Sequence, residues 1–286
     1  MLKPRKARPN KRRIRVTIVS ALRQDRRTYS TSPPITHAHS GTLVASYNVH
    51  KCVGMDQRFD PGRVGAVIEE IGADVIALQE AAQRFGERNA LLDFAPLERK
   101  HGLVAVALAD NDRRRGWHGN VLLFREAVVR DVHPLRLPGI EPRGALVVDM
   151  DLDVGSLRIV AAHLGLLRRS RARQAEAILT TVCARSERPT LLLGDLNEWR
   201  LGDRSSLHIF GPHFGPLGAD LPTFPSRFPL FALDRILGNP QSLISGIEVH
   251  DTALSRVASD HLPIKARIDV AAAASNFVPV RGRMAA

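Results

Sequence analysis

The chain has 286 residues, 44% of them hydrophobic and 24% charged, a balance that excludes a disordered or fibrous protein and leaves room for one large core. Its formal charge of +12 resembles that of a nucleic-acid binder, yet eleven of the 41 Lys and Arg lie in residues 1–40 against a single acid, Asp25. The rest of the chain holds the other 30 basic groups against 28 of the 29 acids, so charge gives no argument for a clamp on duplex in the folded domain.

Residues 1–40 mix basic residues with Ser, Thr and Pro, as in Ser30-Thr31-Ser32-Pro33-Pro34, and are expected to be a disordered basic segment or a transit peptide. They lack the continuous apolar stretch of a secretion signal, and no run in the chain approaches the ~18 apolar residues of a membrane span. Cys52 and Cys183 have neither a disulfide framework nor zinc-ligand spacing, which fits a reducing compartment and a cytoplasmic location; a monomer is also expected.

From Thr42 the pattern changes. Leu43-Val44-Ala45-Ser46-Tyr47-Asn48 reads as a strand, and Asp60-Pro61 opens a helix with Val64, Val67, Ile68 and Ile71 at helical spacing and Gly72 as its stop. Asp74 to Glu80 is a nearly continuous apolar run, the mark of a buried strand. Strands are then predicted at Leu103–Ala109, Asn120–Arg125, Ala145–Leu152 and Leu157–His163, followed by a helix over Arg169–Arg185 and a strand at Thr190–Asp195. Residues 200–230, rich in Gly, Pro and Phe, read as loop with short helical pieces. Phe224, Phe228 and Phe231 are read as core packing ahead of a lipid-facing patch. The last strands are expected around Leu233–Leu237 and Ile264–Val270, and a flexible tail follows. The domain itself is placed at 41–272 and the tail at 273–286. Buried β runs with a few helices predict an α/β fold of two packed sheets covered by helices.

The polar residues carry the chemistry through their position. Apolar runs end repeatedly in a carboxylate, amide or imidazole: Asn48, Glu80, His163, Asp195 with Asn197, Asp234, and Asp260-His261 before Leu262-Pro263-Ile264. Ligands of sheet proteins sit where strand ends converge, so this order builds one polar pocket on a rigid scaffold. Carboxylates from separate strands suit a hard cation such as Mg2+, and His and Asn can donate to phosphate oxygens. Each residue also has a plainer reading. Glu80 could be a strand-end ion pair, His163 a core histidine, Asp195-Leu196-Asn197 a turn, and Asp234-Arg235 a surface pair worth ~0–1 kcal/mol. His101, His118, His133, His208 and His213 show no such placement and read as surface or loop residues.

The segments Tyr47-Asn48-Val49-His50, Leu78-Gln79-Glu80, Gly119-Asn120-Val121, Ala162-His163-Leu164, Gly194-Asp195-Leu196-Asn197, Leu233-Asp234-Arg235 and Ser259-Asp260-His261-Leu262-Pro263 resemble, in order, the motifs of the endonuclease/exonuclease/phosphatase superfamily. The resemblance spans about residues 42–270. It implies a four-layer α/β sandwich with two mixed β-sheets flanked by helices. It also implies roles: Glu80, Asn48 and Asp260 at a Mg2+ ion, with Mn2+ as a substitute; Asp195 on the attacking water; Asn197, His163 and His261 on the phosphate; and Asp234 holding the ring of His261. Whether Asp195 or His261 is the general base stays open. Ala161-Ala162-His163-Leu164-Gly165 stands where abasic-site endonucleases carry a tyrosine-containing stretch, and its histidine form is similar to the sphingomyelinase, phosphatase and deadenylase branches. The expected activity is Mg-dependent hydrolysis of a small or lipid-borne phosphate ester. The alternatives are a DNA or RNA nuclease, using the basic tail, Arg113-Arg114-Arg115 and Arg168-Arg169, and a non-catalytic binding module of the same fold.

Overall fold

The opening strand, helix and strand form where the pattern predicts them. In the computed structural model, which describes residues 41–82, 91–108, 116–217 and 221–275, β1 (Thr42–Asn48) is followed by α1 (Pro61–Ile71) and β2 (Val75–Gln79), parallel to β1. Asp60 accepts the backbone N–H of Arg63 at 2.9 Å and Pro61 fixes the first turn, while Gly72 ends α1 at φ 63. The elements that follow are α2 (Ala95–His101), β3 (Val104–Ala105), β4 (Val121–Phe124), β5 (Ala127–Leu137), β6 (Arg143–Leu152) and β7 (Gly155–His163). Then come α3 (Arg168–Cys183), β8 (Thr190–Asp195), α4 (Gly211–Phe214), β9 (Asp234–Asn239), β10 (Ile244–Val249), α5 (Ser255–Ala258), β11 (Ile264–Ile268) and α6 (Val270–Ser275).

These strands make two mixed sheets, ordered β10-β11-β1-β2-β4-β3 and β5-β6-β7-β8-β9. Alternation along the strands sorts the side chains into three apolar layers. Leu43, Ala45, Tyr47, Ile76 and Leu78 face outward onto α1 and α2. Val44, Val75 and Ala77 face inward onto Leu157, Ile159 and Ala161 of β7 and Leu191 and Leu193 of β8. Val160, Ala162 and Leu192 face the far side, against Ala175, Ile178 and Val182 of α3. The result is helix, sheet, sheet, helix, the expected sandwich. Each fully buried Leu, Ile or Val contributes ~1.5–3 kcal/mol, so these layers hold the fold while the polar site adds little.

Several expectations need correction. β5 and β10 escaped the sequence reading because both are edge strands, half exposed and carrying Pro134, Asp131, Arg130 or Ser245, Gly246, Glu248, which break a clean apolar alternation. The strand expected at Leu103–Ala109 pairs only at Val104–Ala105, after which one bond joins Val106 N–H to the Leu122 carbonyl; Ala109 lies outside the described residues. The last strand stops at Ile268, and Val270–Ser275 is a helix with Val270 and Ala273 buried in the inter-sheet layer, so the expected tail begins with packed structure. Asp234 and Arg235 are buried and form no surface pair. His133 lies in β5 and His118 is buried against Trp117, ring centroids 4.9 Å apart. Residues 1–40, Arg113-Arg114-Arg115 and 276–286 lie outside the described residues.

Candidate active site

The site is where the inner rows of side chains run out of apolar residues. Along β1 the inward row is Val44, Ser46, Asn48; along β7 it is Leu157, Ile159, Ala161, His163; along β8 it is Leu191, Leu193, Asp195. β9 contributes Asp234 before Ile236 on the same parity. Registers bring these ends level: His163 pairs with Asp195 across β7–β8, and Asp195 with Asp234 across β8–β9. Asn48 lies on the facing sheet, and its Nδ2 donates to Asp195 Oδ2 at 2.9 Å, one bond that spans both sheets.

Around Asp195 the polar atoms converge. His163 Nε2 is 3.4 Å and His261 Nε2 3.9 Å from Asp195 Oδ2, and the Asn197 N–H donates to Oδ1 at 3.0 Å. His261 Nδ1 is 2.8 Å from Asp234 Oδ2, which also accepts from the Thr223 hydroxyl at 2.5 Å. Ser259 ties the segment before β11 to β1: its hydroxyl donates to the Asn48 carbonyl at 2.7 Å and accepts the His261 N–H at 3.2 Å. Asn197 Nδ2 donates to the Leu164 carbonyl at 2.9 Å, joining the loops that leave β7 and β8.

Burial of Asp195 pushes its carboxyl up to about 6; His261 pulls it down, Asp234 pushes it up, and Asn48 and Asn197 stabilise the anion. For His261 burial acts downward, but the charges of Asp234 and Asp195 outweigh it and raise the imidazole to about 10. The two carboxylates thus favour the protonated ring.

Glu80 and Asp260 flank this centre. Their contacts run to adjacent residues of one turn: Lys51 Nζ is 3.9 Å from Glu80 Oε2, and His50 Nδ1 is 3.8 Å from Asp260 Oδ1. Both carboxylates stay partly open, at 13% and 26% side-chain exposure. The backbone bends sharply here. His50, Lys51, Glu80, His118 and Asn197 are five of the eight non-glycine residues with positive φ among the described residues. Each such conformation costs ~1–3 kcal/mol, and such strain concentrates where a site needs special geometry. The donors are of the kind a hard divalent cation takes: two partly open carboxylates and Asn48 Oδ1, which accepts from the His50 N–H at 3.0 Å and has a second lone pair. Asp195, Asp234 and His261 also lie close enough to share an ion, with ligand atoms within 4.8 Å, and they contact one another directly.

Residues 45–261 match the Endonuclease/Exonuclease/phosphatase family. The chain belongs to that family. Members of the family are phosphoester hydrolases, generally dependent on a divalent metal. The uncharacterized protein YbhP of Escherichia coli is 26% identical over 245 residues, 79% of this chain and 95% of YbhP. An endonuclease/exonuclease/phosphatase from Beutenbergia cavernae superposes with TM-score 0.61 at 21% identity, covering 80% of this chain and 72% of that one. The mannosyl-6-phosphatase Bt3783 of Bacteroides thetaiotaomicron gives TM-score 0.57 at 15% identity, covering 79% and 99%. D. rerio TDP2 in complex with single strand DNA product gives 0.56 at 16%, covering 80% and 98%. At these identities the structures share the fold.

The endonuclease/exonuclease/phosphatase motifs did not reveal the residues that brace the site. Arg143, at the start of β6, is buried with its Nη1 2.9 Å from His163 Nδ1, and its Nη2 donates to Glu141 at 2.9 Å. Arg171 of α3 donates to the Gly165 carbonyl at 3.2 Å and to Glu198 at 3.2 Å, clamping the β7 and β8 exits together. The only sequence signal for Arg171 is an arginine on a helix position whose neighbours at i+4 and i+7 are apolar. Burial of Glu198 acts to raise its carboxyl, yet the Ser206 hydroxyl and amide, the Arg200 amide and Arg171 together hold it down at about 2. An unfolded Glu titrates near ~4.3. The stability it contributes is thus complete above that pH and lost as pH falls toward 2. Glu198→Gln is expected to cost about 3 kcal/mol at pH 7 by stranding Arg171, and the difference from wild type in thermal midpoint should shrink between pH 5 and pH 2.5. A pH-independent difference would detach Glu198 from the acid limb.

Proposed function

We propose that the protein is a metal-dependent phosphoesterase that hydrolyses a small or lipid-borne phosphate ester by attack of a positioned water. The observation that carries this reading is the convergence of His163 and His261 on the Asp195 carboxylate at the mouth of the inter-sheet layer. Glu80, Asp260 and the Asn48 amide oxygen would hold Mg2+, with Mn2+ able to take its place. Such an ion, when bound, neutralises charge developing on the phosphate oxygens.

The chain's own groups divide the remaining work. His261 is held protonated between Asp234 and Asp195, so it has no lone pair to take a proton and serves as a donor to phosphate oxygen. Asp195 is then the acceptor. It orients the water and receives its proton as the new P–O bond forms and the ester P–O bond breaks, and the leaving oxygen takes a proton from the imidazolium or from water. His163 and Asn197, each in contact with Asp195, would contact the same phosphate. Asp234 and Thr223 fix the ring of His261. The two free cysteines, Cys52 and Cys183, support a cytoplasmic setting. Among the described residues no helix is long and apolar enough to cross a membrane.

The test is turnover by the purified full chain on bis-p-nitrophenyl phosphate, nucleotides, inositol phosphates, phospholipids, and plasmid and single-stranded DNA. Activity in Mg2+ is expected to vanish in EDTA and to return with Mg2+ or Mn2+. Turnover that survives chelation overturns the metal-dependent reading. Cutting of DNA alone would replace it with a nuclease, and absence of both turnover and Mg2+ binding by calorimetry with a non-catalytic module.

A further inference from the structure

Eleven large hydrophobic side chains are exposed among the described residues, and their distribution is lopsided. Val104, Val128 and Val154 sit at the end of the sheets remote from the site. The other eight lie on loops at the end where the site opens. Ile140, on the β5–β6 hairpin, is 87% exposed; Leu166 and Leu167 follow the exit of β7, with Leu166 at 65%. Trp199 and Leu201 follow Asn197, and Phe228, at 63%, and Phe231 precede Asp234; Phe59 stands on the loop after β1. Scattered exposed side chains are ordinary, but a rim of Leu, Ile, Phe and Trp around one cleft marks a contact surface.

Arginine is interleaved with this rim. Leu166-Leu167 run straight into Arg168-Arg169, Arg200 lies between Trp199 and Leu201, and Arg227 precedes Phe228. With Arg204, and Arg58 before Phe59, that makes six arginines on these loops and the first turn of α3. Of the acids on these loops among the described residues, Glu141 is paired with Arg143, Glu198 is buried and Asp56 is held by Arg63, which leaves Asp60 and Asp203 exposed. We infer that this rim docks on an anionic phospholipid bilayer, so that the ester offered to the site is borne by a lipid; the choice of substrate rests on the hydrolase reading above, while the docking does not. Apolar tips that enter the acyl boundary beside arginines that meet lipid phosphates are the chemistry of interfacial binding. A single strand of nucleic acid fits less well. It needs open aromatic faces for base stacking, whereas four of the eight side chains are aliphatic and the Trp199 ring is covered by Arg200 at 4.5 Å and flanked by Phe231 at 5.7 Å.

The test is co-sedimentation of the full chain with vesicles of phosphatidylcholine alone or mixed with phosphatidylglycerol, at physiological ionic strength. Binding to the anionic vesicles is expected, weakened about tenfold or more in Leu166→Ser/Leu167→Ser and also reduced in Phe228→Ser on its separate loop. Turnover of bis-p-nitrophenyl phosphate by these variants should equal that of wild type, which also shows that they fold. Wild-type protein that ignores both vesicles overturns the proposal. So does binding that the rim variants leave unchanged, which would assign it to the basic residues 1–40. Retained single-stranded DNA that the rim variants release would make the rim a nucleic-acid surface instead. Vesicle binding by a protein that turns over no ester keeps the docking surface and removes the hydrolase reading.

Discussion

Asp195→Asn is expected to lower kcat about 10²–10⁴-fold on whichever ester the protein turns over, with the thermal midpoint unchanged or higher. The replacement has the same shape, and its amide oxygen can still accept from one of the two donors, Asn48 Nδ2 or the Asn197 N–H, which bond different oxygens of the carboxylate. What disappears is the proton acceptor, together with a buried negative charge whose desolvation the fold had to offset. The same carboxyl sets the pH profile. Because burial pushes it up to about 6, wild-type kcat/KM should fall as the pH drops below that value and the anion is lost. Steady-state kinetics with metal present decide the matter. Wild-type turnover in the variant would take Asp195 out of the chemistry.

Gly194→Ala is the largest structural perturbation expected outside the reacting groups. Gly194 adopts φ +148, and a Cβ there would stand 1.8 Å from the Ala162 carbonyl oxygen, which is backbone and cannot swing away. The substitution should cost about 3 kcal/mol or more and should disturb the pairing of His163 with Asp195 one residue further along. Gly65, inside α1 with nothing within 4 Å of its added methyl, is the control and should gain up to ~1 kcal/mol on change to Ala. Urea denaturation of the two variants measures both. Equal midpoints would mean that β7 and β8 approach each other differently.

Most of the site was legible because its members stand at the borders of runs whose character the sequence displays. Val44-Ser46-Asn48, Ala161-His163 and Leu193-Asp195 continue an inward row by steps of two, and that parity puts them in one opening before any contact is known. The braces were not legible. Arg143 and Arg171 owe their burial to partners 20 and 35 residues away, His163 and Ser206, and nothing local separates them from a solvated arginine. The edge strands β5 and β10 were lost for a related reason: one open face removes the apolar repeat that identifies a strand. The apolar rim was half visible, since Phe228 and Phe231 could be named but only their 63% and 37% exposure shows that core packing does not claim them.

β1 lies between β2 and β11, so the first strand of the domain has the last strand as a neighbour, Thr42 beside Ile268. During translation the early strand must wait, one edge unpaired, until β11 has left the ribosome. Closure over that span is slow and leaves a sticky apolar edge open in the meantime. Truncation after residue 239 would therefore yield a nascent chain that aggregates, even though one of its two sheets could already be complete.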